Sequence, residues 1–126
     1  MKTLICAFAI SLTAFAAAAE ELMLEYHTML TTNDTYSSRG VALNDVCAIV
    51  QQDRANVHKF GNPDREQPDW FFTSPERRAM IIGKCEYDPS YHTVQRIRSQ
   101  YIGFVKVRVF GAGGFVTRVQ IFEAAG

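Results

Sequence analysis

The sequence predicts an α+β domain in which one amphipathic helix packs on an antiparallel β-sheet. Two patterns carry that expectation. Leu43, Val46, Cys47 and Val50 fall at helical spacing, with Ala42 and Ile49 beside them, and make one apolar stripe from Val41 to about Gln52. Near the end of the chain Val105, Val107 and Val109 alternate with Lys106 and Arg108, the period of a strand with one buried face.

The first 19 residues have the form of a signal peptide. Lys2 supplies a positive start, Leu4 to Phe15 is almost unbroken apolar sequence, and Ala16 to Ala19 offers the small residues a peptidase accepts. The run is too short for a permanent span, which needs about 20 apolar residues, and no later segment approaches that length. The expected mature domain is therefore residues 20–126, one domain by size, secreted and free of the membrane after cleavage.

Leu22 to Leu30 alternates loosely and predicts a strand, followed by polar, turn-like sequence from Thr31 to Ser38. Ser37 or Ser38 can cap the helix, since a serine hydroxyl accepts from the free N–H groups of a first turn. Asp45, Gln51, Asp53 and Arg54 are assigned to its wet side. Beyond it, Val57 to Phe60, Trp70 to Thr73 and Ala79 to Cys85 are expected as strands, the last largely buried. Gly61-Asn62-Pro63-Asp64 marks a turn, and Pro68, Pro75 and Pro89 punctuate the intervals. A hairpin closes the chain: Phe104 to Phe110, a turn over Gly111-Ala112-Gly113-Gly114, and Phe115 to Phe122. On the returning strand Thr117, Val119 and Ile121 are expected on the apolar face, Arg118 and Gln120 on the polar one.

The chain carries 13 basic and 13 acidic side chains, and loss of Lys2 leaves a formal charge of −1. A protein that binds nucleic acid through bulk charge would be strongly basic, so any RNA contact needs a local patch. Of the 3 cysteines, Cys6 leaves with the leader. Cys47 and Cys85 remain, and in an oxidising compartment they most simply pair, contributing roughly 3–4 kcal/mol through loop closure. Two buried free thiols are the alternative. No Cys/His spacing suggests zinc, and neither a metal nor a cofactor is expected. Asn33-Asp34-Thr35 is an N-glycosylation sequon.

The polar hairpin face brings Lys106, Arg108, Arg118 and Gln120 together, a set that can hold a phosphate or can be an ordinary solvated face. The histidines are His27, His58 and His92. One isolated histidine is more often structural than catalytic, although its pKa suits proton transfer.

Several segments acquire meaning from their order: Tyr36-Ser37-Ser38 before the helix, His58-Lys59-Phe60-Gly61-Asn62, Asp69-Trp70-Phe71-Phe72-Thr73-Ser74-Pro75, and Val107-Arg108-Val109-Phe110. In that order they resemble the fungal guanyl-specific ribonucleases, small secreted enzymes with one helix on an antiparallel sheet. The resemblance implies that His58 matches a catalytic histidine and that Glu76 lies near the general-base glutamate, with a two-residue slip. Arg108 or Lys106 matches the phosphate-binding cation, and Asn62 and Asp64 the base-binding loop, with Pro63 in place of a stacking tyrosine. The general-acid histidine has no counterpart: Gln120 stands there, and an amide does not donate a proton at useful cost.

A scaffold lacking its acid resembles the non-catalytic ribonuclease-like effectors secreted by plant-pathogenic fungi, although Tyr26-His27-Thr28 replaces the Tyr-x-Cys start common among them. Three readings follow. One is a monomeric secreted effector, acting outside or inside host cells, that binds RNA or a host protein. Another is an active guanyl-specific endoribonuclease using His58 and Glu76, with His92 as the acid. The last is an unrelated small β-rich inhibitor or interaction module. Both ribonuclease readings require His58 and the hairpin cations to share one cupped surface.

Overall fold

A computed structural model of the chain describes residues 10, 19–62, 64–88, 94–99 and 103–124. Strand β1 (Glu21–Met29) is followed by a 3-10 turn (Thr32–Thr35), helix α1 (Val46–His58), helix α2 (Pro75–Ala79), strand β2 (Cys85–Tyr87), helix α3 (Val94–Arg98), and strands β3 (Phe104–Ala112) and β4 (Phe115–Glu123). The result is α+β, with a four-stranded sheet in the order β1-β3-β4-β2. The expected antiparallel sheet holds for β1, β3 and β4, but β2 runs parallel to β4, so the sheet is mixed.

Alternation decides the faces of the sheet. Leu24, Tyr26 and Thr28 of β1, with Val105, Val107 and Val109 of β3, point inward and are buried. All of these except Thr28 meet Val46, Ile49 and Val50 of α1, together with Phe71, Phe72 and Ile81, in one apolar cluster. A fully buried Val, Ile or Phe stabilises the fold by about 1.5–3 kcal/mol, so this cluster dominates the energetics. No helix among the described residues is long and apolar enough to cross a membrane.

Two bulges set the register. The β1–β3 ladder shifts between Leu22 and Leu24, and the β3–β4 ladder shifts between Phe110 and Gly111. Because Gly111 pairs with Val116 while Phe110 pairs with Arg118, Thr117 is the extra residue. Val116 is therefore buried and Thr117 exposed, reversing the face expected for Thr117. The turn itself is only Gly113-Gly114, whose φ of 61° and 82° suit a two-residue hairpin. Gly111 stays in β3, where a Cβ would overlap the Phe115 carbonyl oxygen and the Met23 sulfur.

The helix begins and ends later than the sequence suggests. The Ser37 hydroxyl accepts from the N–H groups of Arg39 (3.3 Å) and Val41 (3.1 Å), closing a turn of its own. Asp45 caps α1 instead, its carboxylate accepting from the Cys47 N–H at 2.6 Å. The helix runs on through His58, so the strand expected at Val57 to Phe60 is its last turn and exit. Trp70 to Thr73 is a series of bends, because the Asp69 carboxylate binds the N–H groups of Phe71 (2.8 Å) and Phe72 (2.6 Å) and curls the chain. The strand expected from Ala79 to Cys85 is the end of α2 and a turn through Gly83, with pairing only from Cys85. Ser74 at the cap and Pro75 in the first turn start α2.

Cys47 and Cys85 are disulfide-bonded, with Cα atoms 5.5 Å apart. The bond joins the first turn of α1 to the beginning of β2.

Candidate functional site

The outward side chains of β1, β3, β4 and β2 form one continuous face. Across it run the rows Glu25–Arg108–Gln120–Glu86, His27–Lys106–Phe122 and Leu22–Phe110–Arg118. The hairpin residues expected to lie together, Lys106, Arg108, Arg118 and Gln120, do lie together.

Their charge is spent locally. Arg118 forms a bidentate contact with Glu20 Oε1 at 3.0 Å and 2.8 Å and lies 3.6 Å from Glu86. Glu20 also accepts from the Thr117 hydroxyl at 2.7 Å, and these two partners hold its carboxyl below the usual range. Arg108 Nε stands 3.2 Å from Glu25, close enough for an ion pair but not aligned as a hydrogen bond. Gln120 donates to Glu86 at 3.4 Å. Among the described residues Lys106 alone of the three cations has no carboxylate against it; its ammonium lies 5.3 Å from the Phe122 ring.

Aromatic rings fill the space between the charges. The Arg118 guanidinium sits 4.2 Å over the Phe110 ring, with Arg108 5.5 Å from the same ring. His27 stacks on Phe104 with ring centres 5.8 Å apart. Sequence reasoning named His27 without placing it on this face and missed Phe104, Phe110, Phe122 and Glu25, although Phe104 and Phe110 share the parity of Lys106 and Arg108 and were open to the same alternation argument.

His58 is elsewhere. Its Nε2 lies 2.7 Å from Asp69 Oδ1, which also receives Arg54 at 3.1 Å. Arg54 in turn stacks 4.0 Å over the Tyr26 ring and donates to the Thr28 hydroxyl at 3.0 Å. Tyr26 and Thr28 point inward from β1, whereas Glu25 and His27 point outward. The sheet therefore stands between His58 and the hairpin cations, and the shared surface required by the ribonuclease readings is not formed.

The other expected site residues are similarly engaged. Asn62 binds the Glu66 backbone through both ends of its amide, at 2.7 Å and 2.8 Å. Asp64 receives Thr31 at 2.8 Å and Asn33 at 3.4 Å, so Asn62 is committed to the loop's own backbone and Asp64 is turned to the 3-10 turn. Glu76 is exposed on α2, with no hydrogen bond or ion pair to His58 among the described residues. Asn33 of the sequon is exposed on the 3-10 turn, beside a hollow of about 370 Å³ lined by Thr31, Asp64 and Gly103. His92 and Pro63 lie outside the described residues.

Behind the sheet lies a buried ionic cluster. Arg54, with no exposed surface, meets Asp53 at 2.9 Å, Asp69 at 3.1 Å and Glu66 at 3.7 Å. Asp34 is buried beside them and accepts from Asn56 at 2.7 Å and from the Thr31 N–H at 2.9 Å. Burial pushes the Asp34 carboxyl up to about 7 and the Asp53 carboxyl well above the usual range. Burial acts the same way on Asp69, but His58, the Phe72 N–H and Arg54 outweigh it and hold that carboxyl low. Asp34, Asp53 and Glu66 offer oxygens within 4.8 Å of one another, a spacing a cation can bridge. Asn56, Thr28, Arg54 and the Thr31 and Met29 N–H groups already occupy those oxygens.

No protein-family model, curated protein or solved structure matches the chain.

Proposed function

We propose that the mature domain is a secreted, non-catalytic binding module that takes a protein partner on the outer face of its sheet. The observation that supports this is the composition of that face: Phe104, Phe110 and Phe122 interleaved with Arg108 and Arg118, each arginine matched by a carboxylate. Aromatic and arginine side chains are enriched at protein interfaces, where their area is large and their conformational freedom small. RNA is the other partner the sequence allows. A phosphate-tracking surface needs cations free to release counterions, and of the three cations on this face only Lys106 lacks a neighbouring carboxylate among the described residues.

In this reading the domain is a secreted effector without chemistry of its own, and the resemblance to the fungal enzymes does not extend to their site. Cleavage after Ala19 would leave Glu20 as the first residue, still holding Arg118 and Thr117.

A photoreactive phenylalanine placed at position 122, with a control at exposed Ile82, tests the proposal. The expected result is one protein adduct specific to position 122, whose purified partner loses at least about tenfold affinity for Phe110→Ala, the scale of one interface anchor. Equal labelling from both positions, or unchanged affinity in Phe110→Ala, overturns it. So does saturable binding of a mixed-sequence RNA that Lys106→Ala abolishes.

A further inference from the structure

The segment from Asp64 to Asp69 lies over the ionic cluster and is tied to β1 by one side chain. Glu66 accepts from the Met29 N–H at 2.7 Å through one carboxylate oxygen and meets the Thr28 hydroxyl with the other. The same hydroxyl lies 2.8 Å from Asp53 and accepts from Arg54 at 3.0 Å.

A hydroxyl has one proton to donate and two lone pairs to receive. Arg54 takes one lone pair. If Asp53 and Glu66 were both ionised, one carboxylate oxygen would face the remaining lone pair with no proton between them. One of the two carboxyls must therefore carry a proton. Asp53 is the deeper of the pair, and its burial outweighs the neighbouring Arg54 and holds its carboxyl above the usual range. With Asp53 as donor, Thr28 passes its own proton to Glu66, and every atom of the group is satisfied.

We propose that this proton locks the 64–69 segment as a strap, so that the domain is closed in acid and releases the strap as the pH rises towards neutrality. Among the described residues the charged and titratable groups facing the lock are Tyr26 from β1, Asp34 from the 3-10 turn, Asp53, Arg54 and His58 from α1, and Asp64, Glu66 and Asp69 from the strap side. Loss of the proton to solvent leaves Asp53 and Glu66 both anionic, with Asp34 within 4.8 Å and one guanidinium between them. The Glu66 side of the pair is the part that can move, since Arg65, Gln67 and Pro68 are exposed whereas Asp53 sits on a buried helix face, while Arg54 keeps hold of the Gln67 carbonyl and of Asp69 at the strap's far end. The strap's backbone favours release as well: Arg65 has φ of 53°, a left-handed conformation that residues other than glycine and asparagine adopt at a penalty. Opening would uncover the Met29 N–H on the outer edge of β1.

Amide hydrogen exchange on the full chain measures the strap directly, through the Met29 and Glu66 N–H groups. With the intrinsic pH dependence of exchange removed, their opening constant is expected to rise by about tenfold per pH unit between pH 5 and 7, the slope for release of one proton. Asp53→Asn, whose amide can donate to Thr28 and accept from Arg54, is expected to flatten that slope. Glu66→Gln, which removes the second acid, should flatten it independently. A flat wild-type profile, an unchanged slope in both variants, or protection restored at pH 8 by calcium alone would overturn the proposal.

Discussion

Arg54 and Tyr26 meet at the centre of the molecule, the guanidinium carbon 4.0 Å from the ring centre and both side chains buried. The contact fixes where α1 lies across β1. Around it the same guanidinium satisfies Asp53, Asp69, the Thr28 hydroxyl and the Gln67 carbonyl, so one side chain joins a strand, a helix and a loop.

Replacing Arg54 with alanine therefore removes more than a cation. It leaves Asp53, Asp69 and Glu66 buried without their shared partner, a situation that costs about 3–5 kcal/mol. Urea unfolding near pH 6 is expected to show that loss. Arg54→Lys should recover only part of it, because one ammonium cannot reproduce the guanidinium fork or its stacking on Tyr26. A variant within about 1 kcal/mol of wild type, less than a single buried hydrogen bond to charge is worth, would remove the cluster from the account.

The cluster also sets a pH dependence opposite to that of ordinary acid denaturation. Asp34, with a folded pKa of about 7, holds its proton in the folded state over a range where the unfolded chain has lost it. Its contribution to stability is complete below about pH 4 and disappears as the pH rises through 7. Asp53 acts in the same sense. Asp69, held low, acts in the opposite sense but only below about pH 4, where its protonation weakens the fold. Thermal melts are expected to show greatest stability near pH 4–5 and a decline by pH 8 on the order of 2–4 kcal/mol. A rise in stability between pH 5 and 8 would contradict this.

How far the sequence revealed these features depended on which property each position displayed. The hairpin was readable because Val105, Val107 and Val109 alternate strictly. The bulge at Thr117 was not, since an inserted residue leaves no mark on composition. On α1 the buried stripe Val46, Ile49 and Val50 continues at helical spacing into Asp53 and Arg54. Polarity placed those two residues in water, whereas the spacing, followed alone, placed them inside. Glu66 and Asp69 come from an irregular segment with no period, so their convergence on Arg54 could not be read in advance.

The pairing of Cys47 with Cys85 carries its own test. The two lie 38 residues apart, and closing that loop is worth about 3–4 kcal/mol in the chain-entropy description. Cys47→Ser is expected to lower the melting temperature markedly, because the start of α1 is then held to β2 by packing alone. A melting temperature equal to that of the oxidised wild type would show that the bond adds nothing.

The separation of His58 from the hairpin cations bears on RNA cleavage. Transphosphorylation needs a base, an acid and cations around one phosphate. Here His58 is committed to Asp69 behind the sheet, Gln120 and Arg108 stand in front of it, and Glu76 is exposed on α2. No turnover of a guanosine-containing dinucleotide is expected from the wild type. Gln120→His is expected to add none, since its neighbour Glu86 lies beside Arg118 and a proton shuttle tolerates misplacement of only about half an ångström. Cleavage by the wild type that His58→Ala abolishes would require His58 to reach the substrate from the interior side, and would refute this separation of roles.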